Sequence, residues 1–176
     1  MKFFIKIFIL SFCLLLTLCS SSMAMGQFFL PRSTLVGEPA KDFELSSYKG
    51  EKISLSQARK EGHVILFFWA TWCPHCRTAL KEFQEMESAI KAKNVQMFVI
   101  DIGENAKTVG RYAERNNITM DILLDGDTAV ASDYDVVGVP SYVFINQDGT
   151  IVDIRHDLPM DFEKLFIPRN NTKSIH

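Results

Sequence analysis

Two cysteines three residues apart, Cys73 and Cys76, enclose Pro74 and His75 and follow directly on Trp72. Residues 63–69, almost wholly apolar and β-branched or aromatic, run up to this segment in the pattern of a strand covered on both faces. Beyond Cys76, the apolar residues Ala79, Leu80, Phe83, Met86 and Ile90 recur at steps of three or four, with Arg77, Lys81, Glu82 and Glu85 between them. That period predicts an amphipathic helix. A step from strand into helix places the first sulfur at the helix N-terminus, where unpaired N–H groups and the helix dipole favour a thiolate. Cys73 is therefore the candidate nucleophile. Cys76, in the first turn, is close enough to close a small, reducible disulfide ring with it, and Pro74 sits where a missing N–H costs least. His75, inside the ring, is placed to tune the thiolate. Trp72 is placed to shield the sulfur and to offer partners an apolar contact.

A Cys-x-x-Cys pair can also be half of a structural zinc site, which needs two more ligands. His63 and His156 are the available candidates, but gathering such scattered positions is an added assumption. The expectation is a redox dithiol with no metal and no cofactor.

The rest of the chain must hold this dithiol in place. Its 176 residues, 47% of them hydrophobic, suit one domain plus a targeting extension. A net charge of -2, without clustered positive charge, excludes nucleic-acid binding. Lys2 and Lys6 precede a mostly apolar run at residues 7–18, and small residues follow up to Ala24, which is the order of an export signal. Twelve residues fall short of the roughly 20 that a spanning helix needs. Cleavage after Ala24 leaves 17 basic residues against 21 acidic ones. Alternatively, residues 16–19 resemble a lipobox, with lipid attached at Cys19. On either route the free thiols that remain are Cys73 and Cys76.

The expected organisation is a signal at 1–24 (or one cleaved before Cys19), a lead-in at 25–35, one domain at 36–166 and a polar tail at 167–176. Within the domain, a hairpin is expected from residues 43–46 and 52–55, then a short helix at 56–61. Further strands are expected at 95–100, closed by Asp101 and Gly103, at 122–124, and as a terminal hairpin at 141–145 and 150–154. Helices are expected at 105–115, 128–134 and 161–166. Strands alternating with helices and ending in a hairpin indicate an α/β sandwich around a mixed sheet.

The segment Phe68-Trp69-Ala70-Thr71-Trp72-Cys73-Pro74-His75-Cys76, with Val139-Pro140 opening a strand 64 residues after Cys76, resembles the thioredoxin fold. More closely it resembles the exported TlpA/ResA-like thiol-disulfide oxidoreductases, over about residues 36–166, including the segment Gly37-Glu38-Pro39-Ala40-Lys41-Asp42-Phe43. This resemblance implies a three-layer sandwich with an N-terminal hairpin extension and a redox-active Cys73–Cys76 disulfide. It also implies a cis Pro140 beside the dithiol, with Val139 docking an extended substrate. The implied partners are protein thiols and disulfides in the exported compartment, with a membrane electron donor keeping the pair charged.

Two positions depart from the pattern. Plain thioredoxins carry a buried acid where this chain has Phe67, and the ResA subgroup carries a glutamate where it has Ala79, so the usual carboxylate relay is missing. Pro74-His75 is the dipeptide of DsbA-type disulfide donors. Potentials in such proteins run from about -270 to about -120 mV, roughly 7 kcal/mol apart, so the motif leaves direction open. The reading is an exported reductase in the periplasm or an equivalent compartment, free or membrane-tethered, with a DsbA-like oxidase as the alternative. A thiol peroxidase fits less well, because Ala70 stands where a threonine is usual and Thr71 is one step off. A copper chaperone fits less well too, since such proteins place three residues between the cysteines.

Overall fold

The structure is a computed structural model and describes residues 33–167. The signal at 1–24, the lipid site at Cys19, most of the lead-in and nearly all of the polar tail lie outside them.

The chain opens with a small antiparallel pair, β1 (Glu44–Ser46) and β2 (Lys52–Ser54), followed by the one-turn helix α1 (Leu55–Ala58). The central strand β3 (His63–Trp69) leads into α2 (Pro74–Lys91). Then come β4 (Val95–Ile102), α3 (Ala106–Asn116), β5 (Ile122–Asp125), α4 (Ala129–Asp133), β6 (Ser141–Ile145), β7 (Ile151–Arg155) and a closing 3-10 turn, Phe162–Phe166. Five strands form one mixed sheet in the order β5-β4-β3-β6-β7. β3 runs parallel to β4 and antiparallel to β6, and the register sets Trp69 beside Asp101 and Phe67 beside both Val99 and Tyr142.

The continuous apolar character of β3 is explained by its two covered faces. Ile65, Phe67 and Trp69 pack with Cys73, Cys76, Leu80, Phe83, Val109 and Ala113, under α2 and α3. Val64, Leu66 and Phe68 pack with Leu55, Val130, Ala131 and Tyr134, under α1 and α4. Alternation along the strand thus assigns each residue to one of two cores, and the result is the expected three-layer α/β sandwich.

The boundaries shift where local chemistry decides them. α2 begins at Pro74, which fills the early helical position expected of it, with Cys73 as the cap. Asn105 is the cap of α3, its side chain accepting the Thr108 N–H at 3.0 Å, and Asn117 ends that helix in the left-handed region. β4 continues past Ile100 through Asp101 to Ile102, so the aspartate expected to close the strand lies inside it. Gly103, with φ +76, makes the stop. The last helix forms as a 3-10 turn.

Candidate active site

Cys73 stands in an extended conformation at the N-cap of α2, and its Sγ accepts the Cys76 backbone N–H at 3.1 Å. A sulfur so placed takes the role that a Ser or Asp oxygen takes at other helix starts. It meets one of the orphan N–H groups and the positive end of the dipole, both of which favour a negative sulfur. The two sulfurs are bonded, with Cα atoms 5.2 Å apart. Cys73 is 5% exposed and Cys76 is fully buried, so the first sulfur is the one a partner can reach.

The loop from Pro140 closes over this pair. The Val139–Pro140 peptide is cis, and the Val139 carbonyl oxygen lies 3.8 Å from the Cys73 sulfur. The Pro140 carbonyl accepts the Nδ1–H of His156 at 2.8 Å, so that nitrogen carries the proton. His75 is exposed, and with Pro140 and His156 it lines a groove of about 610 Å³. Trp72 is 68% exposed, so its indole is an open apolar surface more than a lid over the sulfur. His63 lies at the far end of β3, stacked on Phe166 at 4.4 Å and accepting the Gln147 N–H, which removes it from any ligand set with the dithiol. Thr71 donates its N–H and its hydroxyl to the two oxygens of Glu104, at 2.6 and 2.7 Å, tying the loop before Cys73 to the end of β4.

Phe67 and Ala79 occupy the positions where an acid was expected to be missing. Phe67 fills its place with a ring stacked on Tyr142 at 4.6 Å and edge-on to Phe83 at 5.3 Å, while Ala79 lines the 610 Å³ groove. A buried carboxyl nevertheless reaches this face from the neighbouring strand. Asp101 shares the parity of Val95 and Val99, pairs with Trp69, and is 0% exposed. Glu104 approaches it through both its backbone and its carboxyl, but among the described residues neither Asp101 oxygen has a well-formed hydrogen bond, nor do Trp69 Nε1 or the Tyr112 hydroxyl, whose ring lies 5.3 Å from the indole. Desolvation first, and the Glu104 charge second, push the Asp101 pKa up to about 8. Sequence reasoning took Asp101 as a terminator and gave Glu104 no role. The signal that could have placed Asp101 was strand parity, since positions 95, 97, 99 and 101 share one face.

A buried sulfur pair at a strand-to-helix junction of a three-layer sandwich, roofed by a cis-proline loop, defines a thioredoxin-like thiol-disulfide oxidoreductase. The AhpC/TSA family profile matches residues 36–154, and the chain belongs to that family. It is 32% identical over 128 residues to thiol-disulfide oxidoreductase ResA of Geobacillus kaustophilus, covering 72% of this chain and 73% of that one. It is also 28% identical over 151 residues to ResA of Bacillus subtilis, covering 85% and 84%. The crystal structure of StoA from Bacillus subtilis superposes with a TM-score of 0.62 at 24% identity, over 72% of this chain and 96% of that one. Among the described residues no helix is long and apolar enough to cross a membrane.

Proposed function

We propose that this chain is an exported protein-disulfide reductase in which Cys73 attacks and Cys76 resolves. The observation that carries the reading is the Cys73 sulfur at the N-cap of α2, less buried than its partner and held by the Cys76 N–H. In the reduced protein the Cys73 thiolate attacks one sulfur of a substrate disulfide. The Cys73–substrate bond forms, the substrate S–S bond breaks, and the first substrate thiolate leaves and takes a proton from water. Cys76 then loses its proton and attacks the Cys73 sulfur, releasing the second substrate thiolate and leaving Cys73–Cys76 oxidised. Two electrons have passed to the substrate. Val139 offers its carbonyl beside the reacting sulfur to the backbone of an extended substrate, Pro140 shapes that loop, and Pro74, His75 and Trp72 adjust the thiolate and its surroundings.

Regeneration takes a dithiol donor of lower potential, which for an exported protein means an electron donor in the membrane. Lys2, Lys6 and the apolar run at 7–18 support export to the periplasm or its equivalent, with tethering through Cys19 as the variant route. Pro74-His75 supports the opposite direction, a disulfide donor.

The experiment is mixed-disulfide trapping in the native compartment. Cys76→Ser is expected to accumulate covalent adducts and Cys73→Ser almost none. Equal trapping by both, or by neither, would reject Cys73 as the nucleophile. A mainly reduced steady state of the wild-type pair supports the reductase, and a mainly oxidised one overturns it in favour of the donor.

A further inference from the structure

Some opposite charges on the described surface pair off, as in Lys41–Asp133, Lys49–Asp121, Lys52–Glu44 and Glu87–Lys91 at the far end of α2. Others stand unpaired, those that flank the dithiol helix among them. Among the described residues Arg77, Lys81, Arg111 and Arg115 take part in no ion pair, and neither do Glu82, Glu85 or Asp157.

The groove of about 610 Å³ holds Glu82, Glu85 and Asp157 with apolar Phe83, Met86 and Met160, and no lysine or arginine lines it. A cleft of about 350 Å³ on the other flank of α2 holds Arg77, Arg111 and Arg115 around Tyr112, with no acid in its lining. Between them, a cleft of about 490 Å³ is lined by both signs, Arg77 and Lys81 with Glu82 and Glu85, and to either side of it one sign prevails. The helix period grades the charges around α2. Arg77, Lys81 and Glu85 follow one another at i,i+4, Glu82 lies further round towards the groove, and Arg111 and Arg115 stand at i,i+4 on α3 beside Arg77. Like charges at that spacing, as at Arg77–Lys81 and Arg111–Arg115, work against local stability. Two environments reinforce the pattern. Burial first, then Glu82 and Asp157, push the Tyr142 hydroxyl up, so those acids face the groove. Arg155, the basic residue that senses Asp157, spends its guanidinium on Asp153 at 2.8 Å.

Both clefts open onto the reactive segment. The acidic groove includes His75 and Pro140, and the basic cleft includes Thr71, two residues before Cys73. We infer that the two clefts dock one extended segment of the substrate protein, basic on one side of its reactive cysteine and acidic on the other. This deepens the reductase reading and rests on it. The apolar floor of the acidic groove takes the aliphatic stems of lysine or arginine, while the guanidinium forks of the basic cleft take carboxylates. The charges set orientation and encounter rate more than final affinity.

The test uses the reduced full chain and short synthetic peptides, each with one cysteine in mixed disulfide with 2-mercaptoethanol. Four peptides are compared: lysines before and aspartates after the cysteine, the reverse order, serines on both sides, and lysines on both sides. One bipolar order is expected to exceed the serine peptide in kcat/KM by about tenfold at low ionic strength. That ratio should fall towards one near 1 M salt, where the Debye length is about 3 Å. Arg111→Gln with Arg115→Gln should remove the advantage of the aspartates, and Glu82→Gln with Glu85→Gln that of the lysines. Equal rates on all four peptides, an all-lysine peptide matching the better bipolar one, or a ratio unchanged in both variants would overturn the inference. The uncharged 2-hydroxyethyl disulfide separates the two levels. If the wild-type chain fails to reduce even that, the reductase reading itself falls; if it reduces it while the peptides do not differ, only the sorted docking surface does.

Discussion

Two aspartates are buried at the ends of neighbouring strands, and the sheet treats them in opposite ways. Asp125, ending β5, faces the α4 side, where its two oxygens accept the Val130 and Ala131 N–H groups at 3.2 and 2.8 Å. Asp101, near the end of β4, faces the dithiol side and has no well-formed hydrogen bond among the described residues, with only Glu104 approaching it. Both are 0% exposed, and burial raises both pKa values, with the two N–H bonds holding that of Asp125 down against it. The first is a structural cap. The second is a carboxyl that the dithiol face keeps unsatisfied, beside an indole and a phenol in the same condition, and a folded protein rarely leaves such groups together without a use for them. Unsatisfied polarity is concentrated on the side of the sheet where the exchange chemistry is placed.

The largest change comes from adding a second acid to that side. Phe67→Asp would remove a ring packed between Tyr142 and Phe83 and put a carboxyl in its place. A loss of about 4 kcal/mol or more is expected, read as the urea midpoint, so restoring an acid at position 67 should unfold the domain before it speeds turnover. A variant of unchanged midpoint would show that this face tolerates carboxyls freely.

Asp125→Ala comes next. It orphans two buried N–H groups at the start of α4, and a cost of about 2–3 kcal/mol is expected. Asp101→Ala, which removes no well-formed hydrogen bond, should cost clearly less. Equal losses would erase the contrast.

Asp101→Asn sharpens the comparison through pH. The folded-state pKa of about 8 lies above the ordinary carboxyl value, so between roughly pH 4 and 8 the folded state binds more protons than the unfolded one. Stability from this group is full below pH 4 and is lost as pH rises towards 8. The amide variant should lack that decline, so its melting temperature should exceed the wild type's increasingly from pH 5 to pH 8. Parallel curves would mean that Asp101 is ionised and solvated after all.

The smallest effect is expected from Glu104→Gln. An amide can accept the Thr71 N–H and donate to the Thr71 hydroxyl, but both bonds lose the carboxylate's charge, so about 1 kcal/mol is lost, and thiol exchange at Cys73 should slow because the loop before it is less firmly held. An unchanged exchange rate would confine Glu104 to a structural role.

Local sequence determined a good deal of this protein. The apolar run of β3, the three- and four-residue steps of α2 and the Pro74 start mark a strand-to-helix junction, because these signals are properties of contiguous residues. That junction alone places Cys73 at a helix N-terminus and makes it the candidate nucleophile. The Val139-Pro140 loop was legible only through family resemblance, since nothing local brings residue 139 against residue 73. Tertiary structure alone decided the rest. Asp101 read as a strand terminator because an aspartate after an apolar run usually meets water, and only its pairing with Trp69 under α3 buries it. Arg77, Arg111 and Arg115 stand on two different helices, and only the packing of α3 beside α2 gathers them into one cleft across from Glu82 and Asp157. Periodicity tells which face of an element a residue occupies; which other face it meets is fixed by long-range packing, which the order of residues in one segment does not contain.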